Sequence, residues 1–166
     1  MTVPIDHSKL EPSDPAQEKA HIWRSECIQQ FAKLELTVAD ALNSLRRAKP
    51  ALKVKEGLPF KGAFDELVRC IKKTGASGQA VASSLEGIEP LTEWRAHLTH
   101  GVMEVWQGKK SHLLTLQHRT TGGGALRRHA LSRDEADELL QQLSKEVRDL
   151  KSRLGQLRTA LNPASA

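Results

Sequence analysis

Apolar residues recur at steps of three and four along most of this chain, and that spacing predicts helices. The first run is Ile22, Trp23, Ile28, Phe31, Leu34, Val38, Ala41, Leu42 and Leu45, which predicts a helix over about 16–48. Pro50 and the stretch Gly57-Leu-Pro-Phe-Lys-Gly62 end it. Phe64, Leu67, Val68 and Ile71 predict a second helix over about 63–73, closed by Gly75 and Gly78. A third region spans 79–106. Proline is tolerated in a first helical turn but not in an interior, so a break is expected near Gly87–Pro90, with a fresh helix through 91–106.

The pattern then changes. Two short mixed segments, 111–119 and 125–131, flank Thr120-Thr-Gly-Gly-Gly124. Glycines supply the positive φ angles of a tight turn, so a small two-stranded hairpin is expected, leaning on a helical layer. Ser132-Arg-Asp-Glu135 is a capping box that opens the last helix. Ala136, Leu140, Leu143, Val147, Leu150, Leu154, Leu157 and Leu161 then form an unbroken a/d repeat. That stripe is expected to pack along the first long helix of the same chain rather than against a second copy. The resulting expectation is a mainly α protein. Its single domain covers 16–162, a bundle of four to five helices with a hairpin inserted before the final one. A loose, proline-bearing arm occupies 1–15.

Composition narrows the class. At 166 residues the chain is one domain of ordinary size, and its 39% apolar content suffices for a core. Aromatic residues are few and tyrosine is absent, which disfavours a sandwich or barrel. No run approaches the roughly 20 apolar residues of a membrane span. The N-terminal residues carry no secretory pattern. Cys27 and Cys70 sit in helical patterns and are expected to be reduced core thiols of a cytoplasmic protein.

Charge is unevenly placed. Residues 91–130 carry six Lys and Arg (Arg95, Lys109, Lys110, Arg119, Arg127, Arg128) against Glu93 and Glu104, a balance of +4 out of the chain's +5. Five of the seven histidines lie there too: His97, His100, His112, His118 and His129. Local positive potential suits a phosphate-rich partner, so Lys109, Lys110, Arg119, Arg127 and Arg128 are candidate contacts to its phosphates. The other reading of the two adjacent arginines is a charged sheet edge that resists aggregation. His97 and His100 stand three apart, but no third ligand accompanies them, so no metal site is expected. Trp94 and Trp106 are expected in the core or at a dimer interface. The glycine run lacks the Lys-Ser/Thr of a phosphate-binding loop.

Arg95-Ala-His-Leu-Thr-His100, followed by Gly101, has the form Arg-x4-His. Placed before a hairpin and a final helix, it resembles the motif of the HEPN superfamily of small helical proteins, many of them endoribonucleases. Arg95, Leu98, His100 and Gly101 match the family wording Arg-polar-x-Leu-Ala-His-Gly. Phe31-Ala-Lys-Leu-Glu35 resembles an aromatic-x-x-Leu-Glu stretch of one branch, and Leu58-Pro-Phe60 precedes the second helix in a similar place. The likeness covers about 20–160.

The resemblance implies that Arg95 and His100 are catalytic, that Glu35 orients Arg95, and that two Arg–His pairs meet across a homodimer. It also implies RNA as substrate, a role in prokaryotic defence or stress response, and an antitoxin or other regulatory partner. One position departs. Ala96 stands where active members usually carry Asn, Asp or His. His97, which shares a helix face with His100, either supplies that polar function or is a surface histidine. A HEPN-like dimer that binds RNA, nucleotide or protein without cutting is the alternative.

The chemistry follows from the residue types. RNA cleaves when its 2′-OH is deprotonated and attacks the adjacent phosphorus, while an acid protonates the leaving 5′-oxygen. Histidine titrates near neutrality and suits both transfers. Arginine matches the phosphorane oxygens with planar donors. The reaction needs no metal or cofactor.

Overall fold

The computed structural model describes residues 15–107, 112–119, 124 and 126–161. Of the expected arm at 1–15, residues 1–14 lie outside the described residues and Pro15 already opens the first helix; most of the glycine turn at 120–124 lies outside them too, as do Lys109 and Lys110. The elements run α1 (Pro15–Ala48), α2 (Phe60–Lys72), α3 (Gln79–Ile88), α4 (Thr92–His100), β1 (Val102–Gln107), β2 (His112–Arg119), β3 (Leu126–Ser132) and α5 (Arg133–Leu161). The protein is mainly helical, with one small antiparallel sheet in the order β1-β2-β3. No described helix is long and apolar enough to cross a membrane.

The long helices follow their stripes. Trp23, Cys27, Phe31, Leu34, Val38, Leu42 and Leu45 of α1 are buried, and so are Leu143, Val147, Leu150 and Leu157 of α5. Most of the a/d stripe of α5 is buried inside the chain, where α5 packs along α1 and α3, while Leu140, Leu154 and Leu161 are half-buried. The indole Nε1 of Trp23 donates to the Ala136 carbonyl at 2.7 Å and fixes the register at one end. Leu139 joins this core beside the expected positions, because an α-helix drifts from a strict seven-residue repeat. The capping box forms: Ser132 N–H donates to Glu135 at 2.7 Å, and Glu135 N–H donates to Ser132 Oγ. Both cysteines are free and buried, and burial pushes the Cys27 thiol up to about 12, which leaves it inert.

Three expectations need correction. The second helix starts earlier, at Phe60, with Pro59 as its N-cap. The motif helix does not continue to Trp106. It stops at His100, and Gly101 turns into an extended strand. A Cβ on Gly101 would lie 2.2 Å from the His97 carbonyl oxygen, so this close turn requires glycine. Val102-Met-Glu-Val-Trp does not alternate in polarity, so only its two valines and its tryptophan favour a strand, and its apolar spacing also fits a helix that continues the preceding turns. As a result the expected two-stranded hairpin is a three-stranded sheet. The break between α3 and α4 falls at a short 3-10 turn, Glu89–Leu91, within one residue of the expected position.

Candidate functional site

Helix α4 lies between α1 and α2 on one side and the sheet on the other, and its side chains divide accordingly. Arg24 of α1 closes its C-terminal end by donating to the carbonyls of Leu98 at 2.7 Å and Gly101 at 2.9 Å. These are carbonyls that a helix end leaves without intrahelical partners. Arg24 thus positions the motif helix, a role that no pattern in the sequence marks.

Arg95 faces α1 and α2. Its Nε donates to Glu35 in a half-buried ion pair, and its guanidinium sits 5.4 Å from the centre of the Phe60 ring. Glu35 and Phe60 belong to the two stretches that carried the wider resemblance. The guanidinium is therefore held in place, and Glu35 balances its charge.

His97 faces the sheet and is 3% exposed, so the reading of a surface histidine is corrected. Its Nε2 lies 3.2 Å from Nε2 of His129, and its Nδ1 is buried without a hydrogen-bond partner. The His118 ring is 5.5 Å away, and Trp94 packs against His129 with ring centres 4.6 Å apart and planes tilted by 46°. Trp94 is thus half-buried at this seam, whereas Trp106 is 60% exposed on the outward face of the sheet, so of its two expected places the core is excluded. Burial, then His129, His118 and Arg127, hold the His97 imidazole below its ordinary value, with Glu93 opposing. Folding therefore favours neutral His97. Its stabilising contribution is full above about pH 6.5 and is lost as pH falls below that, by at most about 1.4 kcal/mol per pH unit. Denaturation midpoints measured from pH 7.5 down to 5.5 should fall, and His97→Phe should flatten that slope.

His100 ends α4 and is exposed. Its ring centre is 6.2 Å from that of half-buried His118 on β2. No hydrogen bond or ring contact joins Arg95 to His100 among the described residues. The helix sends the two in different directions, as five residues of helical rotation require.

The sheet also divides the basic residues. His118 pairs with Arg127 across β2 and β3, on the side facing α4. Arg119 and Arg128 alternate onto the opposite face. Arg128 there donates to Gln117 at 3.2 Å, and Gln117 donates to Glu104 at 3.3 Å. A cleft of about 240 Å³ opens beside α4, lined by Phe60, Thr92, Ala96, His97, His118 and Arg127 among others. Ala96, at the position of the departure from the family wording, contributes only a methyl group to it. A larger groove of about 580 Å³ lies elsewhere, between the starts of α1 and α5 and the sheet, and most of its wall is apolar. No group of three or more His, Cys, Asp or Glu among the described residues is disposed to hold a metal ion.

Sequence reasoning did not single out His118 or His129 as site residues. Each stands alone in an alternating strand, and only strand register brings them to α4. Neither a family model, nor a curated protein, nor a solved structure matches this chain. What the fold and site define is a mainly α protein whose short fourth helix carries an Arg-x4-His segment against a histidine-rich sheet face.

Proposed function

We propose that this protein is a metal-independent endoribonuclease of HEPN type, in which His100 transfers a proton and Arg95 steadies the reacting phosphate. The observation that carries the reading is the exposed His100 imidazole in the last position of α4. It shares its helix with Arg95, whose guanidinium Glu35 already orients, and lies within the segment that holds most of the chain's excess positive charge. A 2′-oxygen attacks phosphorus, the bond to the 5′-oxygen breaks, and the products are a 2′,3′-cyclic phosphate and a 5′-OH. Following the resemblance, a second copy brings its own Arg95 and His100 to a shared site, and a prokaryotic defence or stress role with a regulatory partner accompanies such an activity.

Structured RNA incubated with the protein in EDTA should yield cyclic-phosphate ends. His100→Ala should lower the rate by about 10²-fold or more, the usual scale of a lost proton-transfer group. Cutting by that variant at the parent rate would end the reading.

A second reading has its own support. Glu35 neutralises Arg95, and Ala96 offers no hydrogen bond. Both features suit a dimer that binds RNA without cutting it. RNA binding with a steep salt dependence, and no cyclic-phosphate product, would select this reading.

A further inference from the structure

We propose that His118 is the second proton-transfer group of the site, so that the acid–base pair is His100 and His118 of one chain. This rests on the ribonuclease reading, and it assigns within the chain a group that the resemblance would take from a second copy.

Four imidazoles meet where α4 crosses the sheet, and they form two unlike pairs. His97 and His129 are closed on each other, with ring centres 4.3 Å apart and a nitrogen–nitrogen contact of 3.2 Å. His97 is buried as well, so this pair has no room for a substrate. His100 and His118 stand 6.2 Å apart, centre to centre, too far for a similar ring-to-ring hydrogen bond. One of them is exposed and the other half-buried, so their gap opens to solvent. A phosphodiester between them can present its 2′-oxygen to one ring and its 5′-oxygen to the other, each within hydrogen-bond reach of about 2.6–3.2 Å.

Charge is provided on the same side. Arg127 is the cross-strand neighbour of His118 and lines the same cleft. Among the described residues it makes no hydrogen bond or ion pair, whereas Arg95 is engaged by Glu35. Arg127 is therefore the guanidinium free to take a non-bridging phosphate oxygen.

The step balances without a co-reactant. The neutral imidazole of the pair accepts the 2′-OH proton as the 2′-oxygen–phosphorus bond forms. The protonated imidazole donates to the 5′-oxygen as the phosphorus–5′-oxygen bond breaks. The pair ends with its protonation exchanged, and solvent resets it.

The test uses the full chain and an RNA dinucleotide in EDTA. His118→Gln should lose at least about 100-fold in kcat and reduce the bell-shaped pH–rate profile to a single limb. Mixing His100→Ala with His118→Gln protein should restore nothing, because neither chain holds a complete pair. In the parent protein, the imidazole resonances of His100 and His118 should both move on adding a nucleoside 2′,3′-cyclic phosphate, and saturate together. This last measurement does not depend on a variant that folds.

Parent-like cutting by His118→Gln overturns the proposal and leaves the ribonuclease reading standing. So does restored activity on mixing, which would place the pair across two copies, or movement of His100 alone. A parent protein that does not cut RNA overturns both.

Discussion

Leu150→Asp should abolish cooperative folding at 25 °C. Leu150 is fully buried within one chain, on the face of α5 whose apolar residues complete the core. Truncating such a leucine costs about 2–5 kcal/mol, and a carboxylate there must either be desolvated unpaired or take up a proton. The combined cost of roughly 5 kcal/mol or more approaches the whole stability of an ordinary domain. Circular dichroism melts read the loss directly. Leu36→Asp is the control: Leu36 is 64% exposed on α1, and its replacement should change stability by no more than about 0.5 kcal/mol. Had α5 been a seam between copies, Leu150→Asp would instead leave a folded chain of reduced mass in solution.

Glu66→Ala should cost about 3 kcal/mol and loosen the connection between α1 and α2. The Glu66 carboxylate is buried. It accepts from the Lys55 backbone N–H at 2.9 Å and from two Arg69 nitrogens at 2.6 and 2.7 Å. Arg69 in turn donates to the Leu52 carbonyl at 3.1 Å. One carboxylate thus ties the segment after α1 onto α2, and this segment includes Lys53 at a φ of 47°. Removing it strands a guanidinium and a backbone donor. Such losses reach about 3–5 kcal/mol for buried pairs, and the partial exposure of Arg69 sets the lower end here.

The Arg69 hydrogen bonds, aided by the Lys55 N–H, hold the Glu66 carboxyl at about 2 against an ordinary 4.5. A depressed carboxyl stabilises the fold above its unfolded value, and that stability, about 3 kcal/mol, is lost as pH falls from about 4.5 to 2. Glu66→Ala should remove this acid-sensitive component. It lies well below the His97 window, so stability measured against pH separates the two groups.

Arg95 and Glu35 show how far the resemblance reaches at the site. They stand 60 residues apart, and the resemblance linked them before any geometry was known. His118 and Arg127 show where it stops. Nothing in an isolated alternating strand tells which face will meet a helix, because a slip of one residue exchanges every side chain between faces. The same ambiguity hid β1. Val102–Trp106 fits a helical continuation by spacing and a strand by its valines and tryptophan, and the close turn at Gly101 is resolved only once Arg24 and the sheet are in place.

By itself the sequence determined the long helices α1 and α5, the capping box at Ser132, the break before α4 and the buried thiols. Each is set by residues within a few turns of one another, through periodicity, capping chemistry or the fixed φ of proline. Tertiary structure alone decided the third strand, the outward turn of Trp106 and the burial of His97. It also decided the meeting of His100 with His118. These depend on register and on which faces of distant segments come together, and that choice is made by burial over the whole chain rather than by any local pattern.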